Sequence, residues 1–209
     1  MTDTSAAPRL QNARRLTLAL IAVSVLFCAT GALGAFHFVE LFEQEKTAQK
    51  SLHEKIQAVM LIQSSVIDLQ GFVLGGDSRL AANVSDKASQ FQSLQRNHPG
   101  DQDFQRMDDA FHIWHQSLAQ PMIQKRHEFD TSSLNFSEMG IAYIQGNAPM
   151  HERRLEEIST QVLNAAKENL AASQSRISGT LTTAIAVTSA LGVAALLLGL
   201  LLLKSLRSA

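Results

Sequence analysis

Cysteine is nearly absent from this 209-residue chain, which contains only Cys28. A single thiol excludes an intrachain disulfide. Charged residues are also missing from two long stretches, 16–38 and 177–203. As a helix, either stretch is long enough to cross about 30 Å of hydrocarbon at about 1.5 Å per residue. We therefore predict transmembrane helices at 16–38 and 180–203, on either side of one folded domain at 39–179.

Recognised catalytic motifs are missing as well. The sequence has no phosphate-binding glycine loop, no HExxH zinc motif and no nucleophile elbow. No pair of carboxylates has a setting that would shift their pKa values for acid–base catalysis. No cluster of basic residues indicates nucleic-acid binding. We expect no enzyme activity, no cofactor and no nucleic-acid partner.

The basic residues predict an orientation in the membrane. The N-terminal tail, 1–15, holds three arginines against one aspartate, and the C-terminal tail, 204–209, holds one lysine and one arginine. The middle segment, 39–179, holds 13 basic and 18 acidic residues, a net charge of −5. Because short basic tails stay in the cytoplasm, we predict an inner (plasma) membrane protein with both termini cytoplasmic and 39–179 outside.

One alternative for the first apolar stretch is a cleaved signal peptide. Ala32-Leu33-Gly34 fits the small-x-small pattern of a cleavage site. The stretch is longer than the usual apolar core of a signal peptide, so its length favours an anchor.

Apolar residues of the middle segment recur at helical rather than strand spacing. The first stripe runs through 52–74, and Gln63 and Gln70 fall on the same seam. Three further stripes follow, at 80–94, 104–118 and 155–166. The pattern predicts an all-α domain, an antiparallel four-helix-type bundle between the two membrane helices.

Glycine and capping residues predict where the helices end. Gly75 and Gly76 can adopt the positive φ that ends a helix, and Asp77 or Ser78 can cap the next one. These residues predict a hairpin turn, and Asp101 is the expected cap of the third helix.

The balance of helix lengths predicts two further interruptions. A break at 130–135 lets the chain return to the membrane, since a single ascending helix over 102–145 would be too long. With this break, the lengths of the rising and descending helices balance only if the chain keeps its direction at 146–149. GNAP, at these positions, is therefore predicted to be a kink in the last helix rather than a reversal.

Several polar side chains are candidates for a site. The seam glutamines Gln63 and Gln70 line a polar pocket or fix the register of a helical dimer, and we favour register. Asp108, His112 and His115, at i, i+4 and i+7, share one side of a helix and are weak candidate ligands for zinc or copper. We favour the interpretation that they face water, and predict no metal site.

A family resemblance rests on three segments. The turn Gly71-Phe72-Val73-Leu74-Gly75-Gly76-Asp77 is similar to the GYLLTGD-like motif of CHASE-type extracytoplasmic sensor domains of the third type. Further on, Trp114, Pro121 and Arg126 resemble that family's Trp, Pro and basic residue, and 146–158 resembles the approach to its last helix. The family usually has Arg where this chain has Gln70.

The resemblance implies a sensory function at the front end of a receptor histidine kinase, cyclase or chemoreceptor, as in two-component systems. The candidate residues for ligand binding or signalling are Gln63, Gln70, Phe72, Asp77, Trp114 and Arg126. We expect a homodimer in membrane lipid that acts through a cytoplasmic signalling partner or a missing C-terminal output domain. The alternative is a two-span scaffold or interaction subunit whose helices bind another protein.

Overall fold

Every element of the described chain is helical. The computed structural model describes the backbone of residues 6–130 and 136–207, and the side chains of 14–129 and 138–204. Its elements are α1 (Ala6–Gly75), α2 (Ser78–Arg96), α3 (Gln102–Trp114), a π-helical turn (His115–Ala119), α4 (Gln120–Asp130), α5 (Phe136–Gln145) and α6 (Ala148–Arg207). The predicted all-α class is confirmed. Within the predicted break at 130–135, residues 131–135 lie outside the described residues.

The chain divides into two compact units. An apolar unit consists of residues 1–47 and 171–209, and a core unit consists of residues 48–170. The bounds of α1 and α6 extend through both units. Both helices are long and apolar enough to cross a membrane, by length and composition.

In the apolar unit, large apolar side chains point away from the protein. Leu33 and Leu196, for example, are 71% and 70% exposed. Gly31 and Ala35 of α1 and Ala184 of α6 line one cavity of about 260 Å³, together with larger residues such as Phe38. Uncovered apolar surface of this extent is unusual for a protein in water.

The core unit is organised around one cluster of buried apolar side chains. α1, α2, α3, the π-helical turn, α4, α5 and α6 all contribute to it. The largest fully buried members are Trp114, Phe91, Phe104, Ile62, Leu69 and Met107. The predicted apolar stripes of α2, α3 and α6 are thus the faces that pack inward.

The inner face of α1 includes part of the predicted stripe, since Val59 and Val73 are buried. The fully buried residues include Ala58, Ile62 and Leu69, whereas Gln63 is exposed and Gln70 is half-buried. Neither glutamine is therefore part of the buried core. α1 carries two apolar stripes, and helical spacing alone does not say which of them packs inward.

The first predicted turn is present, with one difference. Gly76 has a φ of 76°, while Gly75 is still helical, so only the second glycine needs the left-handed region. Asp77 caps α2 by accepting the Arg79 backbone N–H at 3.0 Å. The predicted hairpin turn and its cap are confirmed.

The other predicted helix ends are also marked by polar residues. Asp101 caps α3 by accepting the backbone N–H groups of Asp103 and Phe104, at 2.8 and 3.3 Å. Between α5 and α6, Asn147 has a φ of 57° and Gly146 donates its N–H to the Ala142 carbonyl at 2.9 Å. The helix is therefore interrupted within GNAP, as predicted.

A charged cluster fixes the α2–α3 connection against α1. Lys55 is buried, and its Nζ lies 2.6 Å from Asp103 Oδ2 and 3.5 Å from Asp101 Oδ2. Beside it, the His98 ring stacks on Phe104 with centroids 4.5 Å apart. Replacement of Lys55 by a neutral residue would destabilise the fold, because the carboxylates of Asp101 and Asp103 would be left close together without a cation between them.

Candidate functional site

A groove lies between α1 and α6 in the core unit. Its volume is about 580 Å³, within the range of small-molecule sites. α1 contributes Ile62, Gln63, Val66, Ile67 and Gln70, and α6 contributes Pro149, Glu152, Arg153, Leu155, Glu156 and Ser159. The seam glutamines singled out by the sequence therefore line one wall of this groove, the α1–α6 groove.

A carboxylate at the groove joins three helices. Glu152 of α6 accepts hydrogen bonds from Gln70 Nε2 of α1, at 3.1 Å to each carboxylate oxygen. It also accepts one from the Tyr143 hydroxyl of α5. Burial raises the pKa of Tyr143 well above its ordinary value, and the hydrogen bond to Glu152 raises it further. The phenol therefore keeps its proton and acts as a donor to Glu152.

The α1–α6 groove combines an apolar wall with charged groups. Ile62, Val66 and Leu155 supply apolar surface, while Glu152 and Glu156 supply carboxylates. Such a lining suits an amphipathic molecule, with its apolar part against the wall and its polar part at the carboxylates. A ligand that donates hydrogen bonds to Glu152 would compete with the donors from α1 and α5.

A second set of candidate residues meets at the end of α1. Arg126 of α4 is only 8% exposed, and its Nη1 donates to the Val73 carbonyl at 3.2 Å. Its guanidinium carbon lies 4.9 Å from the Phe129 ring centre. A Cβ at Gly76 would lie 2.5 Å from Arg126 Nη2. Gly76 therefore serves both the turn and the close approach of the arginine.

The other turn residues have structural partners. Phe72 is fully buried, with its ring centroid 5.6 Å from that of His127. The side-chain hydrogen bond from Arg79 lowers the pKa of Asp77, the cap of α2. The motifs at 71–77 and at Arg126, about 50 residues apart in sequence, thus come together in space.

Trp114 lies in the core rather than in the α1–α6 groove. It is fully buried and stacks on Phe111, with ring centroids 5.3 Å apart. Its indole Nε1 has no hydrogen-bond partner within the part of the chain that the structure describes. The π-helical turn His115–Ala119 follows directly. The structure therefore does not bring Trp114 together with the seam glutamines.

The three metal-ligand candidates remain on α3 and the π-helical turn. His112 is exposed, and burial lowers the pKa of His115 and raises that of Asp108. Among the described residues, no group of three or more His, Cys, Asp or Glu side chains has an arrangement that would hold a metal ion.

Sequence reasoning missed the central residue of the groove. Glu152 lies in the charged run HERRLEE, which reads as an ordinary solvated helix face. Nothing in the spacing pairs it with Gln70, 82 positions earlier. Gly71 was also not singled out on structural grounds, although a Cβ there would lie 2.9 Å from Leu80 Cδ1.

The chain was also compared with known proteins. No family model, no curated protein and no solved structure matches it. The resemblance to CHASE-type sensor domains therefore remains a prediction from the residues quoted above.

Proposed function

We propose that this chain is a membrane-bound sensory protein whose core unit lies outside the cytoplasm. In this proposal the core unit is a helical bundle, and a ligand or partner signal passes from it through two membrane-spanning helices to a cytoplasmic output. One observation carries the proposal. The helices that line the α1–α6 groove, α1 and α6, are also the two helices that contain the long apolar segments.

The hydrogen bonds at Glu152 supply a physical route for the signal. Gln70 and Tyr143 attach α1 and α5 to the same α6 carboxylate. A ligand that replaces one of these donors changes the preferred position of α6 beside α1. Sliding or rotation of helices by about 1–2 Å is typical of such transitions. A ligand drives the change only through unequal affinity for the two arrangements.

Distance measurement between the apolar segments tests this coupling without knowledge of the ligand. In a Cys28→Ser background, spin labels are placed at Leu18→Cys and Leu203→Cys in the full chain in lipid nanodiscs. Gln70→Leu removes the α1 donor to Glu152. We expect it to shift the label-to-label distance distribution by about 1–2 Å. The matched control, Asn83→Leu, changes an exposed residue of α2 and should leave the distribution unchanged.

An unchanged distribution in the Gln70→Leu variant would contradict the coupling. Tyr143, the only tyrosine in the chain, reports whether the groove itself was altered. Because Gln70 and Tyr143 bond the same carboxylate, replacement of Gln70 changes the environment of Tyr143, which is visible in the NMR signals of the tyrosine.

One observation favours the alternative, a scaffold that binds another protein. Ile141, Ile144 and Met150, near the α5–α6 connection, are exposed apolar residues, and exposed apolar surface is typical of protein contacts. Co-purification with one stoichiometric partner, with no thermal stabilisation by small molecules, would favour the scaffold. Stabilisation by a small molecule that depends on Glu152 would favour the sensor.

A further inference from the structure

The apolar unit contains a groove of its own between α1 and α6. Its volume is about 760 Å³, within the range of ligand sites. Residues between Thr30 and Gln44 of α1 and between Arg176 and Val187 of α6 line it, and we call it the apolar-unit groove. It shares no lining residue with the α1–α6 groove of the core unit.

The apolar-unit groove extends across the predicted edge of the membrane hydrocarbon. Arg176 lies four positions outside the predicted span 180–203, which is about 6 Å along a helix. The polar headgroup layer of a bilayer is about 5–8 Å thick on each side. Val187 lies seven positions inside the span, about 10 Å below its edge. A molecule in the groove therefore has one end among headgroups and the other among acyl chains.

Small residues leave open space along the apolar part of the groove. Gly34, Gly179 and Ala184 line it, and a Cβ at either glycine would meet no atom within 4 Å. Unfilled space beside apolar residues forfeits dispersion contacts. Because the neighbouring material at this depth is acyl chain, a chain that enters the groove recovers those contacts.

A single permanent charge lies at the headgroup end. Of the described residues that line the groove, only Arg176 carries such a charge, and it is exposed. A guanidinium pairs with phosphate through two parallel hydrogen bonds. An anionic headgroup would therefore meet a cation and no carboxylate from the lining. Each acidic residue of α1 between positions 37 and 46 already has a partner: Glu40 with His37, Glu43 with Lys46 and Glu45 with Gln174.

We propose that the apolar-unit groove binds one anionic glycerophospholipid from the membrane leaflet on the side of the core unit. Its phosphate pairs with Arg176, and one acyl chain lies along Gly179 and Val187. His37 and Gln44 also line the groove and supply further hydrogen-bond donors near the headgroup. The inference rests on the membrane placement in the proposed function, but it does not require a signal.

Native mass spectrometry of the full chain in detergent, with added phosphatidylglycerol, tests the headgroup contact. We expect one lipid to remain bound per chain, and Arg176→Gln to weaken its affinity about fivefold or more. The matched control, Arg154→Gln, removes the same charge from an exposed position of α6 in the core unit. It should leave the affinity unchanged, and equal affinities in the two variants would overturn the proposal.

A second pair of variants tests the position of the acyl chain. Gly179→Leu fills the groove and should also weaken phosphatidylglycerol binding. Gly192→Leu makes the same change at a glycine of α6 that lies outside the groove and also has open space beside it, so it should bind as the unchanged chain does. Circular dichroism checks that both variants remain helical. Unweakened binding by Gly179→Leu would contradict the proposed chain position.

Other probes separate the possible sources of binding. Phosphatidylethanolamine with the same acyl chains should bind more weakly, because its ammonium meets no carboxylate in the lining. Inorganic phosphate lacks the chains and diacylglycerol lacks the phosphate, so both should bind more weakly still. Binding of any of these as tight as that of phosphatidylglycerol would overturn the proposal. A dimer without bound lipid would also overturn it, since a second copy would then fill the groove.

The lipid site and the sensory coupling fail in distinguishable ways. A distance shift in the Gln70→Leu variant, without retained phosphatidylglycerol in the unchanged chain, would overturn the lipid site alone. Retained phosphatidylglycerol that depends on Arg176, without a distance shift, would support the lipid site and contradict only the coupling.

Discussion

The outward faces of α1 and α6 differ, although the two helices pack against the same core. Over the core unit, the exposed charged residues of α6 include Arg154 and Glu157. The outward face of α1 carries the apolar residues Met60, Ile67 and Leu74. A helix that faces only water is expected to resemble α6. The difference indicates that the outward face of α6 meets solvent, whereas Met60, Ile67 and Leu74 leave α1 with large apolar side chains that are mostly exposed.

The largest expected effect separates the inner face of a helix from its solvent face. Ile62→Ala removes a buried side chain from α1 and should lower the free energy of unfolding by about 2–5 kcal/mol. Asn164→Ala, on the exposed side of α6, should change it by less than about 0.5 kcal/mol. Denaturant unfolding of the full chain in detergent measures both. Equal losses would contradict the assignment of the core.

A second comparison uses one arginine from each region. Arg126→Ala removes a buried cation that bonds the Val73 carbonyl at the end of α1, and should cost about 2–3 kcal/mol. Arg153→Ala removes an ion pair with Glu157 that is largely exposed, and should cost less than about 1 kcal/mol. The midpoint of thermal unfolding ranks the two. A smaller loss for Arg126 than for Arg153 would show that the turn does not depend on the buried guanidinium.

Two adjacent glycines at the end of α1 should respond differently. Gly76→Ala places a Cβ at positive φ and close to Arg126, and should cost about 1–3 kcal/mol. Gly75→Ala meets no atom within 4 Å at a helical position, so it should be neutral or stabilise by up to about 1 kcal/mol. Chemical denaturation of both variants provides the measurement, and a reversed order would contradict the turn geometry.

The smallest expected effect is a pH dependence from His115. Burial lowers its pKa in the folded state, so the unfolded chain binds the proton more readily. The stability that comes from keeping this imidazole neutral is complete above the unfolded pKa of about 6.5 and declines as the pH falls through that value. His115→Gln should therefore weaken the fall in melting temperature between about pH 7.5 and 5. An unchanged pH profile would show that the site does not exclude the charged imidazole.

Local features of the sequence were sufficient for the caps of α2 and α3, although not for the π-helical turn His115–Ala119. Asp77 and Asp101 were recognisable as caps because a capping side chain acts on its own neighbours in sequence. The inner face of α1 was only partly recognisable, because two apolar stripes on one helix satisfy the same periodicity. Only the packing of α2–α6 selects the stripe that contains Ile62 and Leu69.

The candidate site was only partly predictable for the same reason. Gln70 was identified from the seam, but its partner Glu152 depends on how α6 packs beside α1. Arg126 was identified through the family resemblance. Its burial was not, since arginine is seldom buried in proteins. Long-range pairs of this kind leave no regular spacing in the sequence.

The claim on which the account rests is that the core unit lies outside the cytoplasm, between two membrane spans. A membrane-impermeant maleimide tests it on intact cells that express Cys28→Ser variants with one new cysteine. We expect Asn83→Cys, in the core unit, to be labelled in intact cells. A cysteine in place of Ser205, in the C-terminal tail, should be labelled only after the membrane is opened. Labelling of the tail but not of position 83 in intact cells, or equal labelling of both, would contradict the account.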